Sequence, residues 1–170
     1  TPWNYPLDQA TFKLFAAMAA GNTVVLKPSQ NAPLCCCILA EAIEEAGFPN
    51  GVFNLVTGAG GEVGNAIALH EGIDALSFTG STSGGIEVGK LALSTVKKIT
   101  LELGGKSPLV VLEGADLEAA VADACSSAFM NTGQTCCAYT RMLIPEAKKD
   151  EIEALLKAEA EKYITGDPLD

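Results

Sequence analysis

Residues 74–85 read Asp74-Ala75-Leu76-Ser77-Phe78-Thr79-Gly80-Ser81-Thr82-Ser83-Gly84-Gly85. An apolar, strand-forming run passes through a glycine and hydroxyl-rich turn into a helical pattern, which is the repeating unit of an α/β fold. Glycines bare the backbone N–H groups, hydroxyls add donors, and a helix N-terminus favours anions, so the turn suits a pyrophosphate. A P-loop is excluded: Gly84 to Lys90 spells G-x-x-x-x-G-K, but Leu91 stands where a magnesium-binding hydroxyl is required.

The same alternation extends upstream. Helix formers fill residues 8–20, where Phe12, Phe15 and Met18 are spaced for one buried face, and Gly21-Asn22 closes the segment. Thr23 to Lys27 reads as a buried strand ending in a charge. Lys27 is then either an ordinary solvated lysine or, at the carboxyl end of a strand, a ligand contact. Asn31 is a candidate cap for a helix with Pro33 in its first turn; Leu39, Ile43 and Ala46 mark one face and Glu41, Glu44 and Glu45 another. That helix carries Cys35, Cys36 and Cys37, read as small apolar residues rather than redox groups. The strand Val52 to Val56 leads into Gly58-Ala59-Gly60-Gly61-Glu62-Val63-Gly64, which fails the G-x-G-x-x-G pattern because Val63 occupies the last glycine position.

Downstream, Lys98-Ile99-Thr100-Leu101-Glu102 is a fourth strand, and the four alternate with helices as βαβ units of a parallel sheet. The character changes at Gly104-Gly105. A new strand at residues 109–112 and a helix from Asp116 to Phe129 deliver the loop Asn131-Thr132-Gly133-Gln134-Thr135-Cys136-Cys137-Ala138, followed by a strand at 141–144. Residues 146–163 form a charged amphipathic helix, read as a solvated surface element. The expected division is 1–104 and 105–170.

The loop reads as a nucleophile carrier. A free thiol with a pKa of about 8.5 is only a few per cent ionised at neutral pH, so a working cysteine needs assistance. The lone carboxylate of Leu101-Glu102-Leu103-Gly104-Gly105-Lys106-Ser107-Pro108 lies 34 residues upstream of Cys136. A carboxylate beside a thiol opposes its ionisation, which suits Glu102 to a later proton transfer. Asn4, between Pro2 and Pro6 on backbone expected to be extended and turn-like, either shapes the entry to a helix or presents its amide to a ligand.

Leu-Glu-Leu-Gly-Gly-Lys-Ser-Pro and Gly-Gln-Thr-Cys resemble the paired glutamate and cysteine signatures of the aldehyde dehydrogenase superfamily. Pro2-Trp3-Asn4-Tyr5-Pro6, Lys27-Pro28-Ser29 and Phe78-Thr79-Gly80-Ser81-Thr82 complete five motifs in the family's order, and the likeness runs to Gly166-Asp167-Pro168. The resemblance implies an open parallel sheet in a non-standard Rossmann-like coenzyme domain, followed by the start of a second α/β catalytic domain. It implies oxidation of an aldehyde to a carboxylic acid with NAD or NADP. Cys136 would be the nucleophile, Asn4 and the Cys136 N–H would hold the oxyanion, and Glu102 would activate the water that hydrolyses a thioester. Members that pass the acyl group to coenzyme A lack this glutamate. The implied coenzyme contacts are Trp3, Lys27, Ser29, Gln30, Gly60, Gly64, Phe78, Gly80, Ser81, Leu103 and Gly104. Gln30 departs from the glutamate of many members; a neutral amide does not repel a 2′-phosphate, so both coenzymes stay open.

A formal charge of −10, from 21 acidic and 11 basic residues, argues against nucleic acid or an anionic membrane as partner. No apolar run reaches the ~18 residues of a spanning helix. Six cysteines without C-x-x-C spacing and a single His70 leave no zinc pattern and fit a reducing, cytoplasmic setting. The chain starts at Thr1 and stops before the family's later coenzyme and subunit-pairing elements, so it is expected to be an inactive segment of a homo-oligomeric parent. Two other readings remain: a non-catalytic segment, and a cysteine hydrolase using His70 as base.

Overall fold

A computed structural model describes residues 1–167 and 169; Pro168 of the last motif and Asp170 lie outside the described residues. The chain forms two compact units, Thr1–Gly104 and Gly105–Asp170.

The first unit runs α1 (Pro6–Ala19), β1 (Val24–Leu26), α2 (Leu34–Glu45), β2 (Phe53–Leu55), a wide helical turn (Gly60–Gly64) into α3 (Asn65–Leu69), β3 (Ala75–Gly80), α4 (Thr82–Leu93) and β4 (Lys98–Leu103). β1 pairs parallel with β2 from Val24↔Phe53 to Leu26↔Leu55, and β3 parallel with β4 from Ala75↔Lys98 to Gly80↔Leu103. Parallel neighbours need a crossover, and α2 and α4 supply it. Among the described residues each pair forms its own short ladder. The fold is α/β with parallel pairing, as the alternation predicts.

The core of this unit gathers Ala10 and Leu14 of α1, Leu26, and Cys36 and Ile43 of α2. This corrects the expected apolar face of α1: Phe12 is 81% and Phe15 45% exposed, and Ala10 and Leu14 turn inward instead. The i, i+4 pair of a small and a large residue brings α1 close to α2 and β1. Ala46 is exposed as well. Cys36 is fully buried, with Sγ 3.9 Å from the Pro6 carbonyl, in keeping with a packing role.

Two local expectations fail for identifiable reasons. Tyr5 adopts φ 48°, ψ 48° rather than extended backbone, because its carbonyl accepts the first helical bond from Gln9 N–H at 2.9 Å. Asn31 does not cap α2. The helix starts at Leu34 after Pro33 without a side-chain cap, and the Asn31 N–H donates to Ser29 Oγ at 3.3 Å.

The second unit runs β5 (Ser107–Val110), α5 (Leu117–Phe129), β6 (Tyr139–Leu143) and α6 (Lys149–Ala160), with β5 and β6 parallel. Asp116 caps α5 by accepting the Ala119 N–H at 3.0 Å, so the helix starts where the acids favour it. A short turn at Glu146–Lys148 precedes α6, which is charged outside but buries Ile152 completely against α5. Among the described residues no helix is long and apolar enough to cross a membrane.

Candidate active site

In the first unit the β3–β4 ladder presents two chemically distinct faces. Strand alternation puts Phe78 and Leu103 on the α4 side. There, a Cβ on Gly80 or Gly84 would lie 2.6 or 3.1 Å from Phe78 Cζ, and one on Gly85 2.5 Å from Leu103 Cδ2. Only glycine lets the first turn of α4 sit this close. Ser81 is its N-cap and accepts the Gly84 N–H at 3.1 Å. Phe78, Gly80, Ser81 and Leu103 are thus drawn together around one helix start.

The opposite face carries Ser77 and Thr79 of β3 beside Thr100 and Glu102 of β4, with Thr79 and Glu102 directly paired in register. Lys13 reaches this face from α1 and donates from Nζ to Ser77 Oγ at 2.8 Å. Burial pulls the Lys13 ammonium below its ordinary pKa, while the negative charge of Glu102 pushes it back up. Thr79 Oγ1 is buried without a hydrogen-bond partner. Sequence reasoning found Glu102 but missed Lys13, Ser77 and Thr79. The signal was present: polar residues alternate with apolar ones along both strands.

At the carboxyl end of β1, Lys27 folds back so that Nζ donates to the Pro28 carbonyl at 2.6 Å, and burial lowers its pKa. Gly64 packs against the Lys27 stem, where a Cβ would lie 4.0 Å from Cδ, whereas Gly60 faces open space. Ser29 is half-buried, Trp3, Gln30 and Gly104 are exposed, and Asn4 sits half-buried in the bend before α1. His70 is exposed, and its Nδ1 accepts the Gly72 N–H at 3.0 Å.

In the second unit the thiol loop is built from strained backbone. Asn131 (φ 50°), Thr132 (φ 60°) and Gly133 (φ 76°) are successive left-handed residues that reverse the chain after α5. The reversal is tied by Gln134 N–H and Nε2 to the Asn131 carbonyl at 3.1 and 3.3 Å, and by Thr135 Oγ1 to the Met130 carbonyl at 3.2 Å. The return path is anchored by buried Ala138 and by Tyr139 N–H donating to Ser127 Oγ at 3.1 Å. Between these anchors Cys136 and Cys137 are both free and exposed. Arg141 turns inward along the ladder, with Nε donating to the Lys106 carbonyl at 2.8 Å.

The aldehyde dehydrogenase family model matches residues 1–170. The chain belongs to the aldehyde dehydrogenase family. This aldehyde dehydrogenase chain is 48% identical over 169 residues to a 3-succinoylsemialdehyde-pyridine dehydrogenase of Pseudomonas sp., covering 99% of this chain and 35% of that protein. It is 49% identical, with a TM-score of 0.95, to a point variant of aldehyde dehydrogenase C from Pseudomonas syringae solved with NAD+ and octanal, covering 99% of this chain and 35% of that one. A betaine aldehyde dehydrogenase variant from Staphylococcus aureus, solved with NAD+ and a BME-modified cysteine, is 42% identical with a TM-score of 0.94, covering 98% and 33%. The chain therefore spans about a third of the length of these relatives.

Proposed function

We propose that the protein carrying this chain oxidises an aldehyde to a carboxylic acid with NAD or NADP, with Cys136 as nucleophile. The observation that supports this most is an exposed thiol on a loop pinned at both ends, in a chain of this family. A nucleophile must meet its substrate without its backbone moving, and the anchors on either side of Cys136 meet that need.

The Cys136 thiolate adds to the carbonyl carbon, and the oxyanion is held by the Asn4 amide and the Cys136 N–H, donors that need no proton transfer. Bound NAD(P) supplies the hydride acceptor, a chemistry no side chain of this protein has. The acyl group then rests on Cys136 as a thioester. Glu102 takes a proton from water, the resulting hydroxide attacks the acyl carbon, the C–S bond breaks, and the acid leaves with the Cys136 thiolate restored. Cys137 is a neighbour without a role in this cycle.

The residues of the first unit fit the coenzyme. The open space over Gly60 and the close packing of Gly64 on Lys27 leave backbone accessible where a side chain would obstruct it. Lys27 and Ser29 would hold the adenine ribose, Ser81 and the start of α4 the pyrophosphate, and Trp3, Phe78, Gly80, Leu103 and Gly104 would flank the rest. Neutral Gln30 admits a 2′-phosphate, so both coenzymes are taken. The protein works on a small aldehyde in the cytoplasm as a homo-oligomer divided into a coenzyme-binding part (1–104) and a catalytic part (105–170).

The test is the rise in absorbance of reduced coenzyme when the full protein meets an aldehyde with NAD or NADP. Cys136→Ala is expected to lose about 10³-fold or more of the rate, and Gln30→Glu to lower turnover with NADP more than with NAD. A Cys136→Ala protein that keeps its rate would overturn the proposal.

A further inference from the structure

Immediately after Asn4 the surface opens into a depression of about 490 Å³ lined by Tyr5, Pro6, Leu7, Asp8 and Thr11. Its one charged lining group is the Asp8 carboxylate, which makes no ion pair among the described residues. Thr11 bonds the Asp8 backbone carbonyl at 3.1 Å and so leaves that carboxylate alone. Asp8, Thr11 and Phe12 are spaced i, i+3, i+4 and share one face of α1. Phe12 on this face is 81% exposed, while the core-facing side of the helix is taken by Ala10 and Leu14.

An acid in the first turn of a helix has an ordinary explanation in the helix dipole. The dipole does not explain why aromatic rings stand exposed around that acid. Ring faces and an unpaired carboxylate together form the donor set that recognises an organic cation: the rings accept a positively charged group over their π faces, and the carboxylate supplies the opposite charge.

We propose that this depression is the tail subsite for the aldehyde, and that Asp8 with the Tyr5 and Phe12 rings selects aldehydes bearing a positively charged ammonium group. The assignment rests on the proposed function, in which Asn4 holds the oxyanion at the reacting end. Asn4 and Tyr5 are adjacent in the chain, so a substrate whose carbonyl meets Asn4 extends its tail over Tyr5 towards Asp8. No covalent step occurs here; the subsite acts through affinity.

The test uses the full protein and two aldehydes of matched shape, 3-(trimethylammonio)propanal and 4,4-dimethylpentanal, which differ by the nitrogen charge. The expected kcat/KM ratio favours the cation by about tenfold, the scale of a cation over an aromatic with a carboxylate beside it. That preference should fall with added salt, drop to about one in Asp8→Asn and return in Asp8→Glu, with the change carried by KM. Equal use of both aldehydes by the wild-type protein, or a preference that survives Asp8→Asn, would overturn the subsite.

Calorimetric binding of the two corresponding alcohols separates this proposal from the one it rests on. If neither aldehyde is oxidised but the cationic alcohol binds more tightly in an Asp8-dependent way, the subsite stands and the oxidative reading fails. If neither alcohol is preferred, the subsite fails whatever the enzyme's activity.

Discussion

Gly105 lies against Cys136: a Cβ built on this glycine would stand 3.4 Å from the Cys136 carbonyl oxygen. The glutamate motif and the thiol loop therefore meet at backbone level inside the second unit. One methyl group fits at the edge of contact and a branched side chain does not. Gly105→Ala is expected to change stability by less than about 0.5 kcal/mol, and Gly105→Val to cost about 1–3 kcal/mol as the loop is forced aside. Urea denaturation of the two variants checks this, and equal costs would contradict it.

Gly133 has φ 76° and packs so that a Cβ would come within 3.3 Å of the Ala128 carbonyl. Conformation and space both oppose a side chain there. Gly133→Ala should destabilise by about 1–2 kcal/mol. Thr132→Gly, at a β-branched residue held at φ 60°, should cost nothing or stabilise by up to about 1 kcal/mol. Thermal unfolding of both variants gives opposite signs if the loop is strained as described.

The cysteines divide by environment. Burial raises Cys36 from an ordinary 9.0 to about 11 and also raises Cys125, whereas Cys136 and Cys137 are exposed. Iodoacetamide at pH 8 should therefore label Cys136 and Cys137 in the native protein and reach Cys36 only on unfolding, as read by peptide mass mapping. The native state holds the Cys36 proton more tightly than the unfolded chain. The resulting stability is complete below pH 9 and is lost as pH rises towards about 11.

Lys13 carries the opposite linkage. Burial lowers its pKa, so the unfolded chain binds the proton more tightly, and stability rises with pH between the lowered value and the ordinary 10.5. Glu102 resists that shift. Glu102→Gln should drive the Lys13 pKa down further in an NMR titration of its ammonium group; an unchanged or higher value would contradict the shared polar face.

The α/β alternation and the parallel pairing were legible because each strand, turn and helix carries its own local chemistry, as Thr79-Gly80-Ser81 shows at the entry to α4. The cysteine loop was legible as a loop, but its run of left-handed residues was not, since Asn131 and Thr132 have no sequence pattern that demands φ > 0. The inward face of α1 was misread because hydrophobicity ranks Phe12 above Ala10, whereas close helix packing selects the smaller residue. Lys13 escaped notice because its partner Ser77 lies 64 residues away and only tertiary folding brings them together.

The central claim is that Cys136 carries the acyl group and Glu102 releases it. The most direct measurement is the intact mass of the full protein after brief exposure to an aldehyde with NAD, for wild type, Cys136→Ala, Cys137→Ala and Glu102→Gln. The account predicts an acyl adduct that requires coenzyme, disappears in Cys136→Ala, persists in Cys137→Ala and accumulates in Glu102→Gln. An adduct that survives Cys136→Ala, or that forms equally without coenzyme, would contradict it.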